Sequence, residues 1–166
     1  MMLRRGLAVA ALVAIADQLS KAWVLGLFAE RQPIERVVPV TGFFNLVLTW
    51  NRGMSFGLFN NDATLNALIF TVIAAAIVSG LVVWLRRAEE PLIAVAIGLV
   101  IGGAIGNVVD RLWRGDRLWH GAVVDFLDFH LGGWHWFAFN LADAAICIGV
   151  GLMVIDSLLG RREAPN

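Results

Sequence analysis

The stretches Ala63–Leu85 and Leu92–Val109 contain no Lys, Arg, Asp or Glu. A soluble chain of 166 residues has no core large enough to hide them, given 59% hydrophobic residues against 16% charged ones. Lipid is the solvent that fits. Spanning about 30 Å of hydrocarbon takes about 20 apolar residues as a helix, because lipid leaves every backbone N–H and C=O to be paired within the segment. Four segments meet that demand, at about 4–28, 64–85, 92–112 and 138–159. The expected fold is therefore a mainly α, polytopic membrane protein forming one membrane-embedded domain over 1–166. The glycines between Gly98 and Gly106 suit close helix packing.

The first segment has a second reading. Arg4-Arg5, the apolar run Leu7–Ala16 and the triplet Ala14-Ile15-Ala16 resemble a cleavable signal peptide. Apolar residues resume after Lys21 with Ala22-Trp23-Val24-Leu25, which favours a retained, interrupted span. The doublets Arg4-Arg5, Arg86-Arg87 and Arg161-Arg162 fall on one side if four helices cross, so both termini are expected to be cytoplasmic. Arg31, Arg36, Arg52, Arg111, Arg114 and Arg117 lie on the other side, interspersed with acids.

Between the first two spans, Val37-Val38-Pro39-Val40 and Phe43–Trp50 flank Thr41-Gly42, so a small outer β-sheet is expected over about 34–57. Trp50, Trp113, Trp119, Trp134 and Trp136 suit an interfacial belt. Net charge is zero, with no basic footprint for nucleic acid. Cys147 is the single cysteine, which precludes an intrachain disulfide, and it reads as a small packing residue.

Each ionisable group inside a span costs about 2.5–3.5 kcal/mol and asks for a reason. Asp17 and Lys21, four apart, share a helical face and can form an ion pair. Asp143 falls near the outer end of the last span and Asp125 precedes it at the outer surface. Two carboxylates meeting in a half-dry site share a proton, one serving as acid and the other as base, which activates water against an amide. Spacing alone does not bring them together. Asp110, Asp116 and Asp128 compete, Asp110-Arg111 as a loop or helix-end ion pair and Asp128 as a solvated charge. His120, His130 and His135 beside Asp125 and Asp128 raise a zinc hydrolase, but their spacing fits no compact ligand pattern, and the expected metal is none. Gly53-Met54-Ser55-Phe56-Gly57 spells G-x-S-x-G, but the few serines sit apart from any His-bearing segment, which disfavours serine catalysis. A proton-coupled carrier relaying through Asp17, Lys21 and Asp143, or a membrane scaffold, are the readings outside enzymology.

Five blocks carry a resemblance. They are Asp17-Gln18-Leu19-Ser20-Lys21, Asn51-Arg52-Gly53-Met54-Ser55-Phe56-Gly57, Gly102–Arg111, Val123-Val124-Asp125-Phe126 and Phe139-Asn140-Leu141-Ala142-Asp143-Ala144. In this order the chain resembles the bacterial lipoprotein signal peptidase (signal peptidase II) family along most of its length. The resemblance implies an aspartyl peptidase of four transmembrane helices with an outer β cradle. It also implies Asp125 and Asp143 as the dyad, with Asn51, Gly103, Asn107, Asp110, Arg111 and Asn140 lining or supporting the site. Asp17 and Lys21 would be important but outside the dyad. The implied partner is a prolipoprotein whose cysteine carries diacylglycerol, cut just before that cysteine. No cofactor is implied. Membrane lipids, a monomeric state and an inner-membrane location with the site near the outer face complete the expectation.

Overall fold

The computed structural model describes residues 1–32, 35–53, 63–114 and 121–160. Four long helices, α1 (Met2–Leu27), α2 (Ala63–Arg87), α3 (Pro91–Trp113) and α4 (Leu141–Gly160), are each apolar and long enough to cross a bilayer. α1 continues unbroken through Asp17 and Lys21. α3 begins where Pro91 can start a helix without losing a bond, after an extended Glu90.

α3 is the central helix. It packs against α1, α4 and α2, and more than half of its span is buried, whereas α2 is almost wholly exposed. Glycine sets the closeness of these seams. A Cβ on Gly98 would stand 2.5 Å from the Gly6 carbonyl oxygen, and one on Gly102 would stand 2.6 Å from that of Ala10. Gly103 meets the Ala142 carbonyl, and Gly149 of α4 meets that of Ala96. Small residues let backbones touch where lipid supplies no hydrophobic drive between helices.

One apolar cluster joins Ala10, Leu85, Ala94, Ile97 and Ile101, with Met2, Leu3 and Met153 against it. It ties the start of α1, the end of α2, the start of α3 and the end of α4 at one pole. At the other pole lies an antiparallel sheet in the order β1 (Val37–Thr41), β2 (Phe44–Asn51), β3 (Val123–Leu131), β4 (Trp134–His135). Val24 of α1 and Phe28 just after it pack beneath it against Val124 and Phe126.

The sheet departs from the expected 34–57 region in one respect that matters for function. Its third strand comes from beyond two further helices, with Thr49 opposite Asp125 and Asn45 opposite Asp128. Residues 54–57 lie outside the described residues. The last helix was expected from about 138 but starts at Leu141, because Phe139 bridges Leu127 and accepts from the N–H groups of Phe126 and Leu127 at 3.0 and 2.8 Å. Backbone pairing with β3 holds this segment extended. Cys147 is exposed on α4, not packed.

Candidate active site

Asp125 stands in β3, buried to 3% exposure. Asp143 is the third residue of α4. Asn140, just before that helix, connects them. Its side-chain oxygen accepts the Asp143 N–H at 3.0 Å, while the Asp143 carboxylate accepts the Asn140 N–H at 3.2 Å. This reciprocal pair is a capping box with Asn and Asp in its two roles. With its oxygen so used, the Asn140 amide donates to Asp125 at 2.7 Å and to Asn107 at 3.2 Å. One side chain therefore spans from the first turn of α4 to the strand.

Each acid has a second amide donor. Asn51, at the end of β2, donates to Asp125 at 2.9 Å, and Asn107 of α3 donates to Asp143 at 2.8 Å. Burial raises the Asp125 carboxyl from 3.8 to about 6, and neighbouring Asp143 adds to the rise. The hydrogen bonds from Asn51 and Asn140 and the charge of Lys21 oppose it and do not cancel it.

Behind the acids lies a buried charged network. Lys21 Nζ meets Asp17 at 2.8 Å, Asp110 at 2.9 Å and the Asn107 oxygen at 3.1 Å, and Lys21, Asp17 and Asp110 are all fully buried. The i,i+4 pairing of Asp17 with Lys21 is present as expected. Asp110 does not pair with Arg111. Its partners are Lys21 and Arg114, the latter at 2.5 Å and one turn along the same helix. Arg111 lies over the Phe70 ring at 5.0 Å and donates to the Asn107 carbonyl at 3.3 Å. Gln18 donates to Asp17, Asp110 and the Gly106 carbonyl, and accepts from Arg114. Gln18 and Arg114 were not singled out from sequence, although Arg114 sits at i+4 from Asp110, the one signal that could have found it.

Asp128 is not a solvated charge. It is buried, takes the Asn45 amide at 2.8 Å and lies 2.9 Å from His135 Nδ1. Burial acts to raise its carboxyl, but the bonds from Asn45 and His135 and the nearby imidazoles prevail and leave it below the usual range. His130 stacks on His135 with ring centres 5.0 Å apart. Among the described residues no three His, Cys, Asp or Glu side chains are grouped to hold a metal ion. His120 and Asp116 lie outside the described residues.

A cavity of about 220 Å³ between α2, α3 and α4 is lined by neither acid but reaches Asn107, which donates to Asp143. Phe70, Ile73, Ile77 and Ile146 make its apolar wall, and Asn107 and Arg111 its polar end. A larger cavity of about 450 Å³, under Phe43, Trp134 and Trp136, touches neither acid.

Four bilayer-length helices with a polar centre built where they meet a small sheet define a multi-pass membrane enzyme. The chain belongs to the signal peptidase II family, whose sequence pattern matches residues 9–159, and it is a peptidase. The lipoprotein signal peptidase of Azoarcus sp. (strain BH72) is 46% identical over 161 residues, covering 96% of this chain and 86% of that protein. That of Nitrobacter hamburgensis is 44% identical, covering 95% and 93%. A bacterial membrane enzyme solved by the in meso method at 2.3 Å superposes with a TM-score of 0.74 at 29% identity, covering 97% of this chain and 91% of that one.

Proposed function

We propose that this chain is an aspartyl endopeptidase which removes the signal peptide from diacylglyceryl-modified prolipoproteins, cutting N-terminal to the lipidated cysteine with Asp125 and Asp143 as its dyad. The observation that carries the assignment is the Asn140 side chain, which binds the Asp125 carboxylate while its own backbone is capped by Asp143.

In the proposed reaction the dyad holds one proton. Buried Asp125, raised to about 6, carries it and donates it to the scissile carbonyl oxygen. Asp143 takes a proton from a water whose oxygen bonds to the carbonyl carbon. Collapse of the tetrahedral intermediate returns the proton from its hydroxyl to Asp125 and breaks the C–N bond, and Asp143 protonates the departing amine. The products are a free carboxylic acid on the signal peptide, which ionises in water, and a free amine on the lipidated cysteine. The acyl chains suit the apolar cavity, Arg111 can hold polar groups of the glyceryl esters, and the anchored peptide then reaches the acids without free diffusion. The active site would face outward from the inner membrane with both termini cytoplasmic, and nothing in the reaction requires a second copy.

Asp125→Asn and Asp143→Asn should each abolish cleavage of a diacylglyceryl-prolipoprotein by the purified protein, while each variant still melts cooperatively in detergent. Turnover surviving in either variant removes that residue from the dyad. In wild type, kcat/KM should fall as pH rises through about 6, where free Asp125 loses its proton.

A further inference from the structure

We infer that Lys21, flanked by Asp17 and Asp110, is a positioning device that sets the two acids of the dyad against each other through the backbone. The inference rests on the dyad assignment above. Asp17 takes the N–H of Ala142 at 3.0 Å, and Ala142 immediately precedes Asp143. Asp110 takes the N–H of Val124 at 3.1 Å, and Val124 immediately precedes Asp125. Lys21 Nζ stands 2.8 Å from one of these carboxylates and 2.9 Å from the other. One ammonium group thus ties the residue before each acid to a common point.

Each half of this tie is built in. Ala142 N–H lies in the first turn of α4, where backbone donors lack helical acceptors, so the buried Asp17 carboxylate satisfies it from another helix. Ala142 and Val124 are themselves fully buried, which leaves no water to replace either bond. On the strand side, the N–H of Gly121 also reaches the Arg111 carbonyl at 3.3 Å, and a Cβ there would strike the Asp110 carbonyl, so β3 enters hard against the end of α3. Gln18 and Arg114 hold Asp110 by the oxygen that Lys21 leaves free, and Gln18 also donates to the Asp17 oxygen that Lys21 binds, fixing both carboxylates. The third Lys21 bond, to the Asn107 oxygen at 3.1 Å, turns the Asn107 amide toward Asp143.

A strand and a helix have no common rigid body, and a shift of about 1 Å between reacting groups costs on the order of 100-fold in rate. Lys21 bonds to neither acid of the dyad, so its loss should appear in kcat with KM nearly unchanged. It also bears on the acid it positions. Its charge lowers the Asp125 carboxyl, which Asp143 and Arg111 face as well, so removing it moves the alkaline limb of kcat/KM upward.

The test compares Lys21→Met and Lys21→Arg with wild type on a diacylglyceryl-prolipoprotein peptide, reading kcat, KM, the pH profile and detergent melting. Lys21→Arg keeps the charge but cannot place a planar guanidinium at the same point, so it covers the case in which Lys21→Met does not fold. The expected result is a fall in kcat of about 100-fold for Met and at least about tenfold for Arg, with KM within about threefold. The alkaline limb should move up for Met and stay in place for Arg. A kcat within about threefold of wild type in the folded variants overturns the inference. So does a loss of activity that only follows the folded fraction while the pH limb of the remainder is unmoved. Turnover persisting in Asp125→Asn would instead sink the dyad, a separate measurement.

Discussion

Asp125 is dry, twice hydrogen-bonded and beside a second carboxylate, and burial decides the balance. The folded chain keeps its proton to about pH 6, whereas the unfolded chain releases it near 3.8. Between those values the native state binds more protons, so stability from this group is complete below about 3.8 and is lost as pH rises to about 6. At about 1.4 kcal/mol per unit the loss is on the order of 3 kcal/mol. Melting from pH 4 to 8 in one detergent should show wild type falling relative to Asp125→Asn over that window and running parallel to it above. A gap that does not change with pH would contradict the placement of this carboxyl. Asp17 with Lys21 was legible in sequence because one helical face needs only a spacing of four. The Asn140–Asp143 box also has a sequence signature, but apolar Ala138 and Phe139 drew the expected helix start three residues too early, for hydropathy does not register a backbone bridge to a strand.

Two glycines of α4 separate packing from propensity at the scale of an element. Gly149 faces α3, where a Cβ would lie 2.6 Å from the Ala96 carbonyl oxygen and 2.7 Å from Val100, whereas Gly151 has nothing within 4 Å. Gly149→Ala should cost about 1–3 kcal/mol by forcing α3 and α4 apart, and Gly151→Ala should be neutral or gain up to about 1 kcal/mol from helix propensity. Equal shifts in melting temperature for the two would mean that the seam is not where the fold puts it. The helices themselves were plain from the sequence because lipid imposes one solution on a long apolar run. β3 was not. Its run Val123-Val124-Asp125-Phe126-Leu127 is strand-like, yet its partner lies across two helices, with Thr49 donating to the Asp125 carbonyl 76 residues away. Pairing over such a distance leaves no local trace, and for the same reason Asp128 looked solvated while its partner Asn45 waits on β2.

The molecule as a whole has two unlike poles. Arg4, Arg5, Arg86 and Arg87 gather at the pole where the helices start and end, and the sheet and acids occupy the other. With cytoplasmic termini, in a Cys147→Ala background an impermeant maleimide added to intact cells should label Phe43→Cys and spare Glu89→Cys. The reverse pattern would invert the proposed orientation. The sequence placed these poles only through its arginine doublets, because charge at helix ends is read locally while the meeting of Asp125 with α4 is not.

The two acids stand on unlike elements, Asp125 on a strand of the sheet and Asp143 inside the first turn of a bilayer-length helix. Separating the sheet from the helices leaves one carboxylate in each part. If the two acids form the proposed dyad, a sheet cut away from the helices should be inert, because it keeps only one of them.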